Sequence, residues 1–331
     1  MSIGWLKPLG VVMLKFAGKA FVAFALSTGL AWAQDYPNKP IRVIVPYSPG
    51  GGTDAVARLV GESASKSLKQ PIIVENRAGA SANIGTQAVA KSPADGYTVL
   101  ITAPNFTTSE ALFDNLGWKF EDFIPVIQLA RYSNVLVAAP GSPYESIQQV
   151  IDAAKAKPGS VNYGSAGAGS NAHLSMELLG LRSGVEMQHI PYKGGGPLKT
   201  DLLGGHVPLG VDGLANMSDL INSNKVKALA VMAPSRTPLA PNIPSLGDVG
   251  ITDVDASGWS GALVPAGTPP EVVAKLQAAF AQALQDPAIV ERMKFLGLEP
   301  VGGTSQQFKA YLTDERSKWA NLIKDRNLKS N

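Results

Sequence analysis

Two periodicities alternate along the chain. Ile41-Arg42-Val43-Ile44-Val45 is a nearly continuous β-branched run, the pattern of a strand covered on both faces. Pro46 to Gly52 interrupts it. Val56, Leu59, Val60, Ala64 and Leu68 then recur at helical spacing, with Thr53 or Asp54 as the expected cap. Ile72-Ile73-Val74 predicts the next strand, Ser81 to Ala90 a helix, and Tyr97 to Thr102 a strand after the Asp95-Gly96 turn. Strand, helix, strand, helix, strand with tight connections predicts a mostly parallel α/β sheet.

The middle of the chain repeats this order. A helix over Ser142 to Lys157 stops at Pro158-Gly159, and the short strand Val161-Asn162-Tyr163 runs into Gly164-Ser165-Ala166-Gly167-Ala168-Gly169-Ser170. Ser170 is placed to cap a helix burying Leu174, Leu178 and Leu179. Strands follow at Met187 to Pro191, Pro208 to Val211 and Val226 to Met232, then a stiff connection carrying Pro234, Pro238, Pro241 and Pro244. Thr268-Pro269-Pro270-Glu271 and Thr304-Ser305-Gln306-Gln307 read as capping boxes. The first opens a helix burying Val272, Leu276, Phe280 and Leu284, and the second one burying Phe308, Leu312, Trp319 and Ile323. Trp118, Trp259 and Trp319 are assigned to the core. The expectation is two lobes with a cleft between them. Residues 34–132 form the first lobe, 133–254 the second, and 255–331 return to the first as helices.

Composition narrows the function. Of 331 residues, 45% are hydrophobic, enough to fill a core, and there is no cysteine, which removes disulfides, thiolate metal sites and cysteine nucleophiles. The net charge of +3 resides in the first 33 residues, where Lys7, Lys15 and Lys19 precede an apolar run from Ala20 to Leu26 and an Ala31-Trp32-Ala33 site. That is the order of a secretory signal peptide cleaved after Ala33, and the run is shorter than the about 20 residues a bilayer span needs. The remainder is electrically neutral, which gives no electrostatic case for nucleic acid or anionic membranes.

Candidate chemistry concentrates in glycine-rich turns. Tyr47-Ser48-Pro49-Gly50-Gly51-Gly52-Thr53-Asp54 leaves a strand and enters a helix, so it is either an anion site built from main-chain N–H groups or a tight connection. Ser165 to Ser170 has the same design with hydroxyls, and Pro191-Tyr192-Lys193-Gly194-Gly195-Gly196-Pro197 is a third case. In open α/β sheets ligands sit beyond the carboxyl ends of strands, where all three turns fall. Gly167 to Ala172 also fits G-x-G-x-x-A, but Glu186 stands at the start of the next strand instead of its end, against a dinucleotide. Ser63 to Lys66 fits S-x-x-K by chance, without a K-T-G partner. His173, His189 and His206 show no metal spacing, and no catalytic motif is present. His173 follows Ser170 closely enough to approach the cleft, and Asp54 and Asp212 are capping or turn residues on this reading.

Val45 to Asp54 resembles the first signature of the Bug family, extracytoplasmic receptors of tripartite tricarboxylate transporters. The likeness continues through Val74 to Ala80, Asp95 to Thr98, Tyr163 to Ser170, Pro191 to Pro197 and Leu263 to Pro269, in the family's order. The resemblance implies a two-lobed periplasmic binding protein of type II, a monomer without metal or cofactor, that closes on a small carboxylate and contacts an inner-membrane transporter. Ser48, Gly50, Gly51, Gly52, Thr53 and Asp54 would form one jaw, and Ser165, Ala168, Gly169 and Ser170 the other. Tyr47, His173, Tyr192 and Asp212 complete the expected ligand-binding set; Arg77 and Arg131 are read first as solvated surface residues, with a second acidic group of the ligand as the alternative partner of either. Tyr47 stands where the family often has phenylalanine, and Ser48 where it has alanine or proline. Two further readings remain open: a secreted hydrolase or transferase using Ser165, His173 and Asp212, and a carboxylate receptor that feeds a sensor kinase.

Overall fold

A computed structural model describes residues 1–2, 36–192 and 194–328. Lys7, Lys15, Lys19 and the Ala33 site of the expected signal peptide, and Lys193 of the third turn, lie outside the described residues. Lys39–Asn331 is one compact unit, and Met1–Asn38 is assigned to another.

Two sheets carry the compact unit. The first contains β1 (Ile41–Val45), β2 (Ile72–Asn76), β3 (Thr98–Thr102), β4 (Phe123–Tyr132), β10 (Gly258–Pro265) and β11 (Glu299–Gly302), in the order β11-β4-β10-β3-β1-β2. The second contains β5 (Asn134–Ala138), β6 (Asn162–Ser165), β7 (Gln188–Pro191), β8 (Leu209–Gly213) and β9 (Lys227–Val231), in the order β7-β6-β8-β5-β9. Both sheets are mixed. Strands joined through helices pair in parallel, as β1 does with β2 and β3, and β6 with β7 and β8. The strands beside the crossings between sheets, β4, β5, β9 and β10, pair antiparallel. A single residue, Ser133, separates β4 from β5, so the chain passes from one sheet into the other without room for a crossover helix. That is why the sheets are less parallel than the opening periodicity predicts.

Ten α-helices flank the sheets among the described residues: α1 (Gly52–Leu68), α2 (Asn83–Ala90), α3 (Asn105–Leu112), α4 (Ile147–Ala156), α5 (Asn171–Ser183), α6 (Gly195–Leu203), α7 (Leu214–Asn222), α8 (Pro270–Ala283), α9 (Pro287–Phe295) and α10 (Ser305–Asp325). None is long and apolar enough to cross a membrane. Three expected starts move. Helix α1 opens with Gly51 as N-cap and no side-chain cap, because Asp54 lies in the first turn and uses its carboxylate elsewhere. Helix α4 opens at Ile147, where the Ser146 hydroxyl accepts the Gln149 N–H, five residues later than Ser142. Thr268 makes no capping box. Its Oγ1 donates back to Pro265 O at 2.7 Å, and Pro269 becomes the N-cap of α8 without a side-chain bond. The Thr304–Gln307 box forms as predicted.

Trp118, Trp259 and Trp319 are buried. Helix α10 joins two cores: Phe308 and Leu312 pack with Ile44, Leu100 and Trp259 at the first sheet, whereas Trp319, Leu322 and Ile323 pack with Tyr163 and Val211 at the second. Phe308 fits because β10 has no side chain opposite it. A Cβ on Gly261 would stand 2.1 Å from Phe308 Cζ. Gly261→Ala is therefore expected to destabilise the protein by about 1–3 kcal/mol through overpacking, read as a lower denaturant midpoint with an unchanged m-value.

Candidate functional site

A cavity of about 460 Å³ lies at the carboxyl ends of strands from both sheets. Its wall includes Tyr47, Gly51, Gly52 and Thr53 from the first glycine turn, and Ala166, Gly167, Ala168 and Ser170 from the second. The volume lies in the usual range for small-molecule sites.

The first turn is braced from behind by a carboxylate. Asp54 is 3% exposed. Its Oδ2 accepts the Gly50 N–H at 2.9 Å and Arg58 Nε at 3.0 Å, and its Oδ1 accepts Asn76 Nδ2 at 2.9 Å. The same Asn76 amide donates to Tyr47 O at 3.1 Å, so one cluster sets the course of the turn on both sides of the glycines. Burial alone would raise the Asp54 pKa, but the bonds from Arg58, Gly50 and Asn76 prevail and hold it below its ordinary value. Asp54 thus supports the turn and does not line the cavity. Ser48 and Gly50 are exposed beside it, and Gly50 faces a neighbouring groove.

The second turn is braced by imidazoles. Ser165 is fully buried, and its Oγ shares a 2.7 Å hydrogen bond with His189 Nε2. The Gly169 N–H donates to His173 Nδ1 at 3.0 Å, and the two histidine rings stack with centroids 3.9 Å apart. Gly167 (φ 143°) and Gly169 (φ 72°) occupy backbone regions that disfavour side chains, so the turn needs glycine at both places. Ser170 lines the cavity and also caps α5, its Oγ accepting the His173 N–H at 3.2 Å. Ser165, Gly169 and His173 stand behind the wall.

The third turn braces the second. Tyr192 N–H donates to Ser165 O at 2.9 Å and Gly194 N–H to Ala166 O at 3.1 Å, while Tyr192 Oη donates to Asp201 at 2.8 Å. Burial, then Asp201, pushes the Tyr192 pKa up to about 12. Tyr192 is absent from the cavity wall. Asp212 lines it, at the end of β8: its Oδ1 accepts Gly213 N–H at 2.8 Å and its Oδ2 accepts Asn216 Nδ2 at 3.2 Å. Burial raises its pKa, partly offset by those two bonds. Ser165 pairs with His189 and Asp212 with Gly213 and Asn216, so no hydrogen bond joins the Ser165, His173 and Asp212 of the hydrolase reading. Arg77 and Arg131 pair with Glu75 and Asp255 and are absent from the wall.

Several wall residues escaped the sequence reading. Ala103, Pro104 and Asn105 come from the β3–α3 connection, Gly213, Ala215 and Asn216 from the start of α7, and Asn171 and Ala172 from the first turn of α5. Tyr132 and Asn134 flank the crossing at Ser133, and Ser81, Leu296 and Leu298 come from other loops. The strand-end rule points to Asn105 once the 98–102 strand is drawn. Tyr132, Asn134, Leu296 and Leu298 carry no local signal. Together the wall holds the N-terminal ends of α1, α3, α5 and α7, with no lysine or arginine and Asp212 as its one acid among the described residues. Asn171 contributes a buried Nδ2 without a hydrogen-bond partner, while its Oδ1 accepts from Asn134 Nδ2 at 2.6 Å. No cluster of metal-ligating side chains occurs among the described residues.

Two mixed sheets with a shared cavity of this kind are the architecture of periplasmic binding proteins. The structure of periplasmic binding protein BugD superposes with a TM-score of 0.76, at 34% identity over 89% of this chain and all of that one. A model described as tripartite tricarboxylate transporter family receptor matches residues 56–328, and the chain belongs to that family, the TctC or Bug receptors. Protein BugT of Bordetella pertussis is 37% identical over 308 residues, 92% of this chain and 94% of that one. A protein of R. palustris solved with adipate has a TM-score of 0.78 and 33% identity, covering 89% of this chain and 99% of its own. These are binding proteins, not enzymes.

The buried imidazoles make stability depend on pH. Burial lowers the His173 pKa from 6.5 to about 4, and burial together with His173 does the same to His189. Both rings are neutral in the folded state at pH 6, where the unfolded chain has begun to take up protons. Stability is therefore full above about pH 6.5 and is lost as pH falls towards about 4. Denaturant midpoints measured between pH 7 and pH 4.5 are expected to fall, and to fall less in His189→Gln.

Proposed function

We propose that this receptor captures a small organic carboxylate in the cavity and presents it to a tripartite tricarboxylate-type membrane transporter. The observation that carries the reading is the convergence of four helix starts on a wall that holds no cationic side chain among the described residues. Each start adds a partial positive charge and N–H groups with no partner inside the helix. A carboxylate accepting such bonds gains roughly 1.5–3 kcal/mol per charge-assisted bond. Three or four approach the about 8 kcal/mol of micromolar binding before ordering costs are subtracted. A bare cation gains nothing from these dipoles.

The relative solved with adipate supports the class of ligand. Dicarboxylates, tricarboxylates, aromatic acids and acidic amino acids all offer the group these donors suit. Because the donors come from both sheets, ligand should favour a closed arrangement of two lobes at 34–132 with 255–331 and at 133–254, hinged where the chain crosses between sheets. That closed form is the shape offered to the membrane partner. The chain acts in the periplasm, after cleavage following Ala33.

Calorimetry of the mature protein against members of those four acid classes is expected to find a micromolar or tighter ligand. Silence across the panel would sink the proposal. Gly51→Val is the matched control. Gly51 has φ −79°, and a Cβ there meets nothing nearer than Ser48 O at 3.8 Å, so the fold tolerates the change while the branched side chain crowds the N–H donors. The best ligand should bind about tenfold more weakly, a loss of about 1.4 kcal/mol, with little change in Tm. Ser170→Ala should weaken binding too, and also lower stability by about 0.5–2 kcal/mol because the cap of α5 is lost.

A further inference from the structure

We propose that His173 and His189 are positioning residues: their stacked, neutral imidazoles hold the 165–170 turn in the one conformation that puts Ala166, Gly167, Ala168 and Ser170 on the cavity wall. The inference rests on the reading that this turn grips the ligand. Neither ring reaches the cavity, and each holds a different end of the turn. His189 Nε2 bonds Ser165 Oγ at 2.7 Å, and that Oγ also bonds the Gly167 main chain, donating to its carbonyl at 3.1 Å or accepting its N–H at 3.3 Å. His173 Nδ1 accepts the Gly169 N–H at 3.0 Å. Tyr163 stacks on His189 from the other side, with centroids 5.1 Å apart, which closes the sandwich.

The arrangement requires an unprotonated Nδ1 on His173, and its surroundings keep the ring neutral. Among the described residues, the charged or titratable groups that face the pair are Glu177 from the next turn of α5, Tyr163 from β6 and Arg326 just beyond α10. Glu177 Oε1 accepts the Tyr163 hydroxyl at 3.0 Å, and Arg326 Nε lies 3.1 Å from Oε2, so that carboxylate is already engaged. It stands 3.7 Å from His173 Nε2, beyond hydrogen-bond length. Burial lowers both histidine pKa values to about 4, as the geometry demands. A protonated His173 would set an N–H against the Gly169 N–H, and the turn would lose its hold at that end.

The role has a readout that a general packing role lacks. Asparagine can place Oδ1 near the position of Nδ1, keeping the acceptor and removing the titration; leucine keeps the bulk and removes the acceptor. Amide hydrogen exchange over residues 165–172, measured without ligand, should speed up about tenfold in His173→Leu and return to within about threefold of wild type in His173→Asn. Affinity for the carboxylate that wild type binds best in the acid panel should follow the same order. Acidification through about pH 4 should release the Gly169 amide in wild type and not in His173→Asn. A folded His173→Leu protein with wild-type exchange and affinity would overturn the inference. If that variant does not fold, the acid titration decides, because a Gly169 amide that stays protected after His173 protonates has the same force. If no acid binds wild type, the carboxylate reading fails while the exchange measurement still judges this one.

Discussion

The free main-chain N–H groups at the start of a helix are the constraint around which this molecule is organised. An α-helix cannot satisfy its first amides internally, and a buried helix start needs an acceptor from elsewhere. Here α1, α3, α5 and α7 all begin on one cavity wall, and α1, α5 and α7 follow glycine-containing turns that bring the backbone itself to the surface. Such helix starts lend the wall a partial positive charge with no lysine or arginine among its described residues. On the reading proposed above, dipoles that already point at the cavity would leave little ordering to be done when an anion binds.

Donor geometry of that kind persists only where the turns are held rigid, and the two principal turns use different chemistry for it. Behind the first stands an ionised carboxylate, Asp54, engaged by Arg58, Asn76 and the Gly50 amide. Behind the second stand two neutral imidazoles and a buried hydroxyl. Each brace hides its polar atoms from the cavity, which leaves the wall itself to main-chain amides, hydroxyls and carboxamides. Asp212 is the exception, a buried carboxylate that meets two local donors and, among the described residues, no cationic side chain at hydrogen-bond distance.

Much of this could be read along the chain. Ile41 to Val45 forms a strand with the bounds its β-branched run implies, and Ser170 caps α5 as its place before the helical period requires. Gly51, Gly52, Thr53, Ala168 and Ser170 reach the cavity. The pattern along a glycine turn does not say which of its polar residues face the cavity. Asp54, Ser165, His173 and Tyr192 are instead bonded to Arg58, His189, the Gly169 amide and Asp201 behind the turns. Tyr132 and Asn134 were missed because β4 and β5 lack turn signals, and the step of one residue between the sheets leaves no mark on the local pattern.

The order of strands and helices, the positions of the glycine turns and the family to which they belong are properties of the sequence, because periodicity and backbone freedom act over a few neighbouring residues. Pairing direction within the sheets, the shared core of α10 and the division between residues that face the cavity and residues that brace it were decided by tertiary structure. They depend on which groups meet across the fold, over separations such as the 124 residues between Arg131 and Asp255, and a local pattern holds no information about a partner that distant.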